Sequence, residues 1–291
     1  MATYLITGGA GTFGRAFVRD LLASGASDRI CIFSRGEHAQ ASMRSELRDD
    51  PRLRWMIGDV RDQSRLKRAM STVDVVVHAA ALKRIEVGYY NPIEMTRTNV
   101  DGAINVIEAA QDAGVAKVVA LSTDKAYQPI SPYGCSKALA ESLFIAANAT
   151  VGAGGPRFSV VRYGNVWCSA GSVVPAWMAR IEAGEADVPV TDPDCTRFFM
   201  RIDEAVALVR NTIATMAGGE LVVPDLPAYR VGDLAAAIGA TMRVTGLPAW
   251  EKKHESMDDG RCSAFARRMS VDELESELSR HFAGVSRRIA A

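Results

Sequence analysis

The chain contains few of the residues that build disulfide frameworks and metal sites. Its 291 residues include five cysteines and four histidines, and both residue types are scattered along the sequence without a C-x-x-C pair. An odd number of dispersed cysteines is typical of reduced thiols rather than of disulfides or zinc ligands. We therefore expect neither a disulfide framework nor a metal site.

Long apolar runs and an excess of charge are also absent. No apolar run in the sequence has the length that a membrane-spanning helix needs, and 34 basic side chains balance 34 acidic ones. Zero net charge gives no reason to expect nucleic acid or membrane partners. We expect no signal peptide before the first strand, and hence a cytoplasmic protein. The length fits one large α/β domain with a small lobe, or two modest domains.

A glycine-rich turn lies between the first predicted strand, residues 4–7, and the first predicted helix, residues 15–24. Glycines at this position let backbone N–H groups approach a pyrophosphate closely, and the start of the helix favours its negative charge. The position of the turn, more than the glycines themselves, predicts a dinucleotide site. The predicted cofactor residues here are Thr7, Gly8, Gly11, Thr12, Phe13 and Gly14.

The ends of the next two predicted strands bear on the choice of cofactor. The second strand ends in Ser34 and Arg35. An acidic residue usually holds the ribose 2′-hydroxyl of NAD at this point. A hydroxyl and a guanidinium in its place favour the 2′-phosphate of NADP, with NAD as the alternative. The third strand is followed by Asp59, predicted to accept a hydrogen bond from the adenine amino group, and by Val60.

A fourth apolar strand, residues 73–78, precedes three alanines, whose small side chains allow a flat ring to lie against the backbone. A lysine and an asparagine follow, the second in a helix predicted from residue 91 to residue 114. If buried, the asparagine amide needs hydrogen-bond partners. Strands and helices alternate strictly, which predicts a parallel, doubly wound sheet. The predicted cofactor residues of this part are Ala79, Ala80, Ala81, Lys83 and Asn99.

The stretch from Leu121 to Lys137 carries the predicted chemistry. Tyr133 and Lys137 lie four residues apart and share one face of a predicted helix. The lysine lowers the pKa of the phenol, so the tyrosine can take a proton from a substrate hydroxyl as hydride leaves the same carbon. Thr123 stands at the end of the preceding strand, within reach of that hydroxyl. The next two residues, Asp124 and Lys125, add an acid and an amine that a plain alcohol dehydrogenase does not need. Leu121 and Ser122 are predicted to contact the cofactor.

After a sixth predicted strand the pattern loosens. We predict helices over residues 171–183, 202–216, 229–240 and 271–282, and short strands over 189–191 and 219–223. Residues 1–166 are predicted to form the dinucleotide-binding domain. Residues 167–291 are predicted to form a small α/β substrate lobe, with the chain re-entering the core around 202–216. The predicted cofactor residues at the end of the first domain are Tyr163, Gly164, Asn165 and Val166.

Several short stretches together carry a resemblance to a known family. They are SRGE at Ser34, AALKRIEVGYYNP at Ala80, STDKA at Ser122, YGCSK at Tyr133, RYGNV at Arg162, GSVVP at Gly171 and TRFF at Thr196. In combination they resemble the extended short-chain dehydrogenases/reductases. More narrowly, they resemble the UDP-N-acetylglucosamine 4,6-dehydratase group, which includes C5-inverting enzymes. The resemblance implies a Rossmann-type sheet with a C-terminal substrate lobe, NADP or NAD as cofactor, a nucleotide-sugar substrate and, by analogy, a homo-oligomer.

The resemblance also implies a cycle without net redox change. Tyr133 would deprotonate the sugar 4-hydroxyl while hydride passes to the cofactor, and Lys137 would hold Tyr133 and the cofactor ribose. Lys125 would then remove the C5 proton, which the new ketone makes acidic, and Asp124 would protonate the departing 6-hydroxyl. Hydride finally returns at C6. The implied substrate residues are Lys83, Asp124, Lys125, Asn165, Ser172, Val173, Arg197 and Glu255.

The sequence departs from the group at two points. Ala170 and Pro248 stand where the group usually has arginines, which suit bidentate contact with phosphate. Arg197 remains as a candidate phosphate ligand. Three alternatives stay open: a dehydratase that forms a 5,6-alkene on a nucleoside, nucleotide or UDP-sugar, a nucleotide-sugar epimerase, and a non-catalytic NADP-binding subunit.

Overall fold

The computed structural model describes residues 2–152 and 154–282. The described chain forms two compact units. Residues up to Tyr163 form the first unit together with Ile202–Val223, and Gly164–Arg201 forms the second together with the chain from Pro224 onward. The chain thus returns to the first unit for one helix and one strand, and Gly164 to Val166 belong to the second unit. None of the described helices has the length and apolar character needed to cross a membrane.

The strands contain between two and seven residues. In chain order they are β1 (Thr3–Thr7), β2 (Arg29–Ser34), β3 (Leu53–Ile57), β4 (Val75–His78), β5 (Lys117–Thr123), β6 (Arg157–Tyr163), β7 (Asn165–Val166), β8 (Asp187–Val190), β9 (Thr196–Met200), β10 (Leu221–Val222), β11 (Ala228–Arg230) and β12 (Thr241–Val244).

The helices cover the first unit and part of the second. They are α1 (Thr12–Ser24), α2 (Glu37–Glu46), α3 (Gln63–Met70), α4 (Ile85–Tyr90), α5 (Pro92–Thr96), α6 (Gly102–Ala113), α7 (Pro132–Ala147), α8 (Val173–Glu182), α9 (Ile202–Thr215), α10 (Val231–Ile238) and α11 (Val271–His281).

The first unit is built on a seven-stranded parallel sheet in the order β10-β6-β5-β4-β1-β2-β3. This order confirms the predicted doubly wound α/β fold. Neighbouring residues on a strand point to opposite faces, yet Leu5 and Ile6 are both fully buried. Helices therefore cover both faces of the sheet, as in other parallel sheets. The strand order reverses between β1 and β4, which is where ligands bind in such sheets.

The single helix predicted from residue 91 to residue 114 is interrupted in the structure. Asn91 separates α4 from α5, because its φ of −130° and ψ of 56° lie outside the helical range. A π-helical segment, Arg97–Asp101, then joins α5 to α6. Single π-helical turns are rare and frequently lie at functional sites. Gly114 ends α6 with φ +67°, a conformation that glycine adopts at little cost.

The second unit contains a three-stranded sheet, β11-β9-β7, and a two-stranded sheet, β12-β8. Its apolar core includes Trp167, Trp177, Phe199 and Leu234. β9 was not predicted, because all five of its side chains are buried and no alternation marks it as a strand. The helix predicted from residue 229 was wrong in its first turn. Tyr229 lies in β11 and pairs with a residue of β9, and α10 begins two residues later.

Candidate active site

The glycine turn between β1 and α1 brings backbone against backbone. Gly8 has φ +66°, and a Cβ on it would lie 2.8 Å from the carbonyl oxygen of Ala79. Gly11 donates from its backbone N–H to the oxygen of Gly8 at 2.8 Å, and a Cβ on Gly14 would collide with the backbone of Gly9. Larger residues would therefore force β1, α1 and the alanines after β4 apart. Glycine is therefore required at these positions for the close packing of β1, α1 and the loop after β4.

Two further observations fit a dinucleotide at this turn. Gly11 precedes α1 and no side chain among the described residues caps the helix, so its first N–H groups remain suited to a pyrophosphate. The hydroxyl of Ser122 at the end of β5 is buried and has no hydrogen-bond partner in the described part of the chain. Buried polar groups nearly always have partners, so a bound ligand is a natural source of one.

A histidine that the sequence analysis did not single out joins the ends of β1 and β4. His78 Nδ1 lies 2.8 Å from the hydroxyl of Thr7, and the N–H of Ala80 donates to the same hydroxyl at 3.3 Å. Burial, with the nearby charge of Lys137 in addition, lowers the pKa of His78 to about 3. The imidazole is therefore neutral and fixes the strand ends beside the glycine turn. In the sequence, a histidine at the end of an apolar strand was the signal that could have predicted this contact.

The predicted adenosine end of the site contains paired side chains. Ser34 accepts a hydrogen bond from the amide of Gln40 at 3.0 Å. Arg35 is half exposed and lies 3.7 Å from Asp59, which also pairs with Arg61 at 2.7 Å. Desolvation works to raise the pKa of Asp59, but the hydrogen bonds and charge of Arg61, followed by the charge of Arg35, lower it overall. The Arg35 guanidinium thus stays near the end of β2 with its outer face accessible.

Asn99 supports the site through its side chain. Its amide donates to Leu82 O at 2.9 Å and to Ser136 Oγ at 3.0 Å, and its oxygen accepts from Leu82 N at 2.8 Å. Ser136 in turn donates to the carbonyl oxygen of Tyr133 at 2.8 Å. The buried amide of Asn99 therefore ties the loop after β4 to the first turn of α7. Next to Leu82, Lys83 is exposed to solvent, and partial desolvation followed by the charge of Arg84 lowers its pKa.

α7 carries the predicted Tyr133 and Lys137 on one buried face. Ser131 caps the helix by accepting from the N–H of Gly134 at 3.2 Å, and the proline that follows Ser131 suits the first helical turn. The ammonium of Lys137 donates to the oxygen of Leu121 at 2.7 Å, which binds α7 to β5. Burial lowers the pKa of Lys137 to about 8, while the negative charge of Glu141 opposes the shift.

The end of β5 holds an ion pair away from water. The carboxyl group of Asp124 is fully buried, and the side chain of Lys125 is 15% exposed. Lys125 Nζ lies 3.0 Å from Asp124 Oδ1, and the hydroxyl of Thr123 lies 3.0 Å from the same oxygen. The N–H of Lys125 donates back to the Thr123 hydroxyl at 3.4 Å. The side chains of Thr123 and Lys125 therefore both contact one buried oxygen of Asp124, unlike the partners of a solvated surface pair.

A second buried ion pair supports this centre and was not predicted. Arg162, at the end of β6, donates through Nε to Glu141 at 2.9 Å, and Glu141 lies one helical turn beyond Lys137 on α7. The Arg162 guanidinium also lies 5.8 Å from the ring centre of Tyr127, in the loop after Lys125. The pair thus contacts both the helix with Lys137 and the loop with Lys125. The only sequence signal was the four-residue spacing of Tyr133, Lys137 and Glu141.

Burial, with the charge of Tyr133 in addition, raises the pKa of Tyr163 at the end of β6, so its phenol stays protonated. The remaining predicted residues lie in the second unit, after Gly164. Asn165 and Val166 form β7. The hydroxyl of Ser172 at the start of α8 has no partner among the described residues, and Val173 opens that helix. Arg197 lies on β9, and Glu255 is buried in the loop after residue 250.

The chain is similar to a family model and to several known sequences. The family model described as polysaccharide biosynthesis protein matches residues 4–264. A relative named UDP-N-acetylglucosamine 4,6-dehydratase (inverting) from Campylobacter jejuni is 44% identical over 255 residues, which cover 87% of this chain and 76% of the relative. A relative named UDP-glucose 4-epimerase from Rickettsia akari is 40% identical over 264 residues, with 88% and 77% covered.

Solved structures agree with this result. The X-ray structure of Pen from Bacillus thuringiensis matches with a TM-score of 0.91 at 30% identity, over 96% of this chain and 98% of that one. DesIV, a dTDP-glucose 4,6-dehydratase from Streptomyces venezuelae solved with NAD bound, matches with a TM-score of 0.83 at 25% identity, over 97% and 98%. The chain therefore belongs to this polysaccharide biosynthesis family, within the extended short-chain dehydrogenases/reductases.

Proposed function

We propose that this chain is an NAD(P)-dependent nucleotide-sugar dehydratase. Its preferred substrate is UDP-N-acetylglucosamine, which loses water between C5 and C6 after transient oxidation at C4. The similarity to the Campylobacter relative supports this assignment. The observation that carries it is the buried pair of Asp124 and Lys125 at the end of β5. Simple oxidation or epimerisation at C4 needs the tyrosine and lysine of α7, but it does not need a second acid and base.

A nicotinamide dinucleotide held at the Gly8 turn would supply the hydride acceptor and donor. The turn and the start of α1 would hold the pyrophosphate. The Ser122 hydroxyl, which has no partner among the described residues, would meet the cofactor near the end of β5. Arg35 would contact the 2′-phosphate, which favours NADP. NAD is the cofactor named for the DesIV structure, so the choice rests on this one side chain.

Tyr133 acts at the first proton transfer. Its phenolate accepts the proton of the sugar 4-hydroxyl as that carbon is oxidised. The positive charge of Lys137 on the same buried face stabilises the phenolate. Because Lys137 has a pKa of about 8, it stays largely protonated near neutral pH. Its hydrogen bond to Leu121 holds the ammonium in place during this step.

Asp124 and Lys125 act at the elimination. Transfer of one proton from Lys125 Nζ to Asp124 Oδ1, over the observed 3.0 Å, converts the ion pair into an amine and a carboxylic acid. The amine removes the C5 proton, and the acid protonates the departing 6-hydroxyl, so that water leaves and a C5–C6 double bond forms. Both groups are then charged again, as they are in the structure.

Thr123 positions the acid. Its hydroxyl lies 3.0 Å from the same Asp124 oxygen that Lys125 contacts. This contact fixes the carboxyl group, and it leaves a lone pair of the threonine oxygen for a substrate hydroxyl.

The proposal is tested by incubating the protein and either cofactor with UDP-N-acetylglucosamine, other nucleotide sugars and nucleosides, followed by mass spectrometry. We expect a product that is lighter by one water with a UDP-sugar and no such product from the Tyr133→Phe variant. NMR of the product separates a 4-keto-6-deoxy sugar from a 5,6-alkene. Turnover at unchanged mass would instead establish an epimerase, the activity named for the Rickettsia relative.

A further inference from the structure

Arg197 is the buried guanidinium of the second unit. Its side chain on β9 is 7% exposed, and no other arginine is buried among the described residues of that unit. A guanidinium suits planar, doubly hydrogen-bonded anions such as phosphate, which is why the sequence predicted a phosphate contact here. Such a contact requires that the donors of Arg197 be available.

Three hydrogen bonds hold the guanidinium of Arg197 inside the unit. Nη2 donates to Glu251 at 2.5 Å, and Nη1 donates to the carbonyl oxygens of Thr196 at 2.8 Å and Lys253 at 3.1 Å. Residues 251–253 therefore fold over the guanidinium. Of these three acceptors, only the Glu251 carboxylate is a charged group at the end of a flexible side chain, and it is 25% exposed.

Negative charge exceeds positive charge around this guanidinium. Desolvation works to lower the pKa of Arg197, but the charges of Glu255 and Glu251 outweigh it and raise the pKa overall. The nearby ammonium of Lys253 does not offset them, because it pairs with Asp192 at 3.1 Å. Two carboxyl groups thus act on one guanidinium, and an approaching phosphate is repelled as long as Glu251 stays in place.

We infer that Glu251 is a specificity-determining residue, which competes with the diphosphate of the substrate for Arg197. This inference rests on the proposed function, because it assumes that a nucleotide binds at the second unit. Glu251 turns outward when a phosphate takes its place, and the two backbone contacts of Arg197 remain. Because the buried cation keeps an anionic partner throughout, the exchange costs less than breaking the pair outright. Because Glu251 competes with phosphate, the chain's affinities for nucleotides with different numbers of phosphates differ only slightly.

Titration calorimetry with UDP, UMP and uridine tests the role of Glu251. Glu251→Gln keeps the size and the hydrogen-bond acceptor but removes the charge. We expect UDP to bind about tenfold more tightly to this variant, UMP to gain less and uridine to gain nothing. Glu251→Asp retracts the carboxylate by one methylene and should give a smaller gain. Glu185→Gln is the matched control, because Glu185 forms an exposed pair with Arg180 in the same unit.

Unchanged or weaker UDP binding by Glu251→Gln would overturn the inference. Equal gains for UDP and uridine, an equal gain in Glu185→Gln, or no UDP binding by either the natural chain or Glu251→Gln would also overturn it. UDP lacks the sugar on which elimination acts, so these titrations do not depend on turnover. If the natural chain dehydrates UDP-N-acetylglucosamine while Glu251→Gln gains no affinity, only the role of Glu251 is rejected.

Discussion

Arg162 and Glu141 form a buried, two-pronged ion pair, with Arg162 Nε at 2.9 Å from one carboxylate oxygen and Nη2 bonded to the other. The pair links the end of β6 to α7, one turn beyond Lys137. Arg162 also lies over Tyr127, in the loop that follows Lys125. The side chains that are proposed to react, on the helix and on the loop after β5, therefore share one support.

Glu141→Gln should destabilise the protein strongly. The substitution keeps the shape of the side chain but leaves the guanidinium of Arg162 buried without its counter-charge, a change that typically costs ~3–5 kcal/mol. Urea unfolding measures the loss. Asp49→Asn, which breaks the exposed pair with Arg44, is the control and should leave the unfolding midpoint unchanged. Similar losses of stability in both variants would show that the buried Glu141 pair stabilises the protein no more than an exposed pair does.

Lys137→Met should change how stability depends on pH. The folded pKa of Lys137 is about 8, against an ordinary value of 10.5. Between these two values the unfolded chain binds more protons than the folded chain, so Lys137 makes stability rise with pH. We expect the unfolding free energy of the natural chain, relative to that of Lys137→Met, to rise by ~3 kcal/mol across this window and to stay flat below pH ~8. If the difference in unfolding free energy between the two chains did not change with pH, the lowered pKa of Lys137 would be rejected.

Gly8→Ala should abolish dinucleotide binding for a reason separate from backbone strain. Gly8 and Gly25 have similar φ values, +66° and +63°, but a Cβ on Gly8 meets the backbone of Ala79 whereas nothing lies within 4 Å of one on Gly25. Gly25→Ala therefore carries only the conformational cost of ~1–2 kcal/mol. Fluorescence titration with NADP and NAD should show lost binding in the first variant and normal binding in the second. Equal affinities would place the cofactor elsewhere.

Arg35→Ala should weaken NADP binding more than NAD binding. Its guanidinium is half exposed beside Asp59 at the end of β2, where only the 2′-phosphate of NADP offers it an additional anion. Competitive titration of both cofactors against the natural chain and the variant measures the ratio of affinities. Equal losses of affinity for NADP and NAD would mean that Arg35 does not distinguish the 2′-phosphate from the 2′-hydroxyl.

The sequence predicted the first unit well because its signals are local. β3 was predicted with its observed bounds, and the glycine turn was predicted between β1 and α1, where the structure has it. The second unit depends on distant pairing. β9 joins β11 across α9 and β10, which belong to the first unit, and no periodic pattern marks β9 or β11 as strands. The same reason explains the missed side chains. Arg162 meets Glu141 across two elements, and Arg197 meets Glu251 in a loop 54 residues further along the chain.

The most direct measurement is product formation from UDP-N-acetylglucosamine by Lys125→Met, followed by mass spectrometry next to the natural chain. Methionine preserves most of the volume of the lysine stem but removes the amine that is proposed to take the C5 proton. We expect dinucleotide affinity to be unchanged and the product lighter by one water to be absent. Formation of that product at the natural rate would contradict the assignment of Lys125 and Asp124 to the elimination.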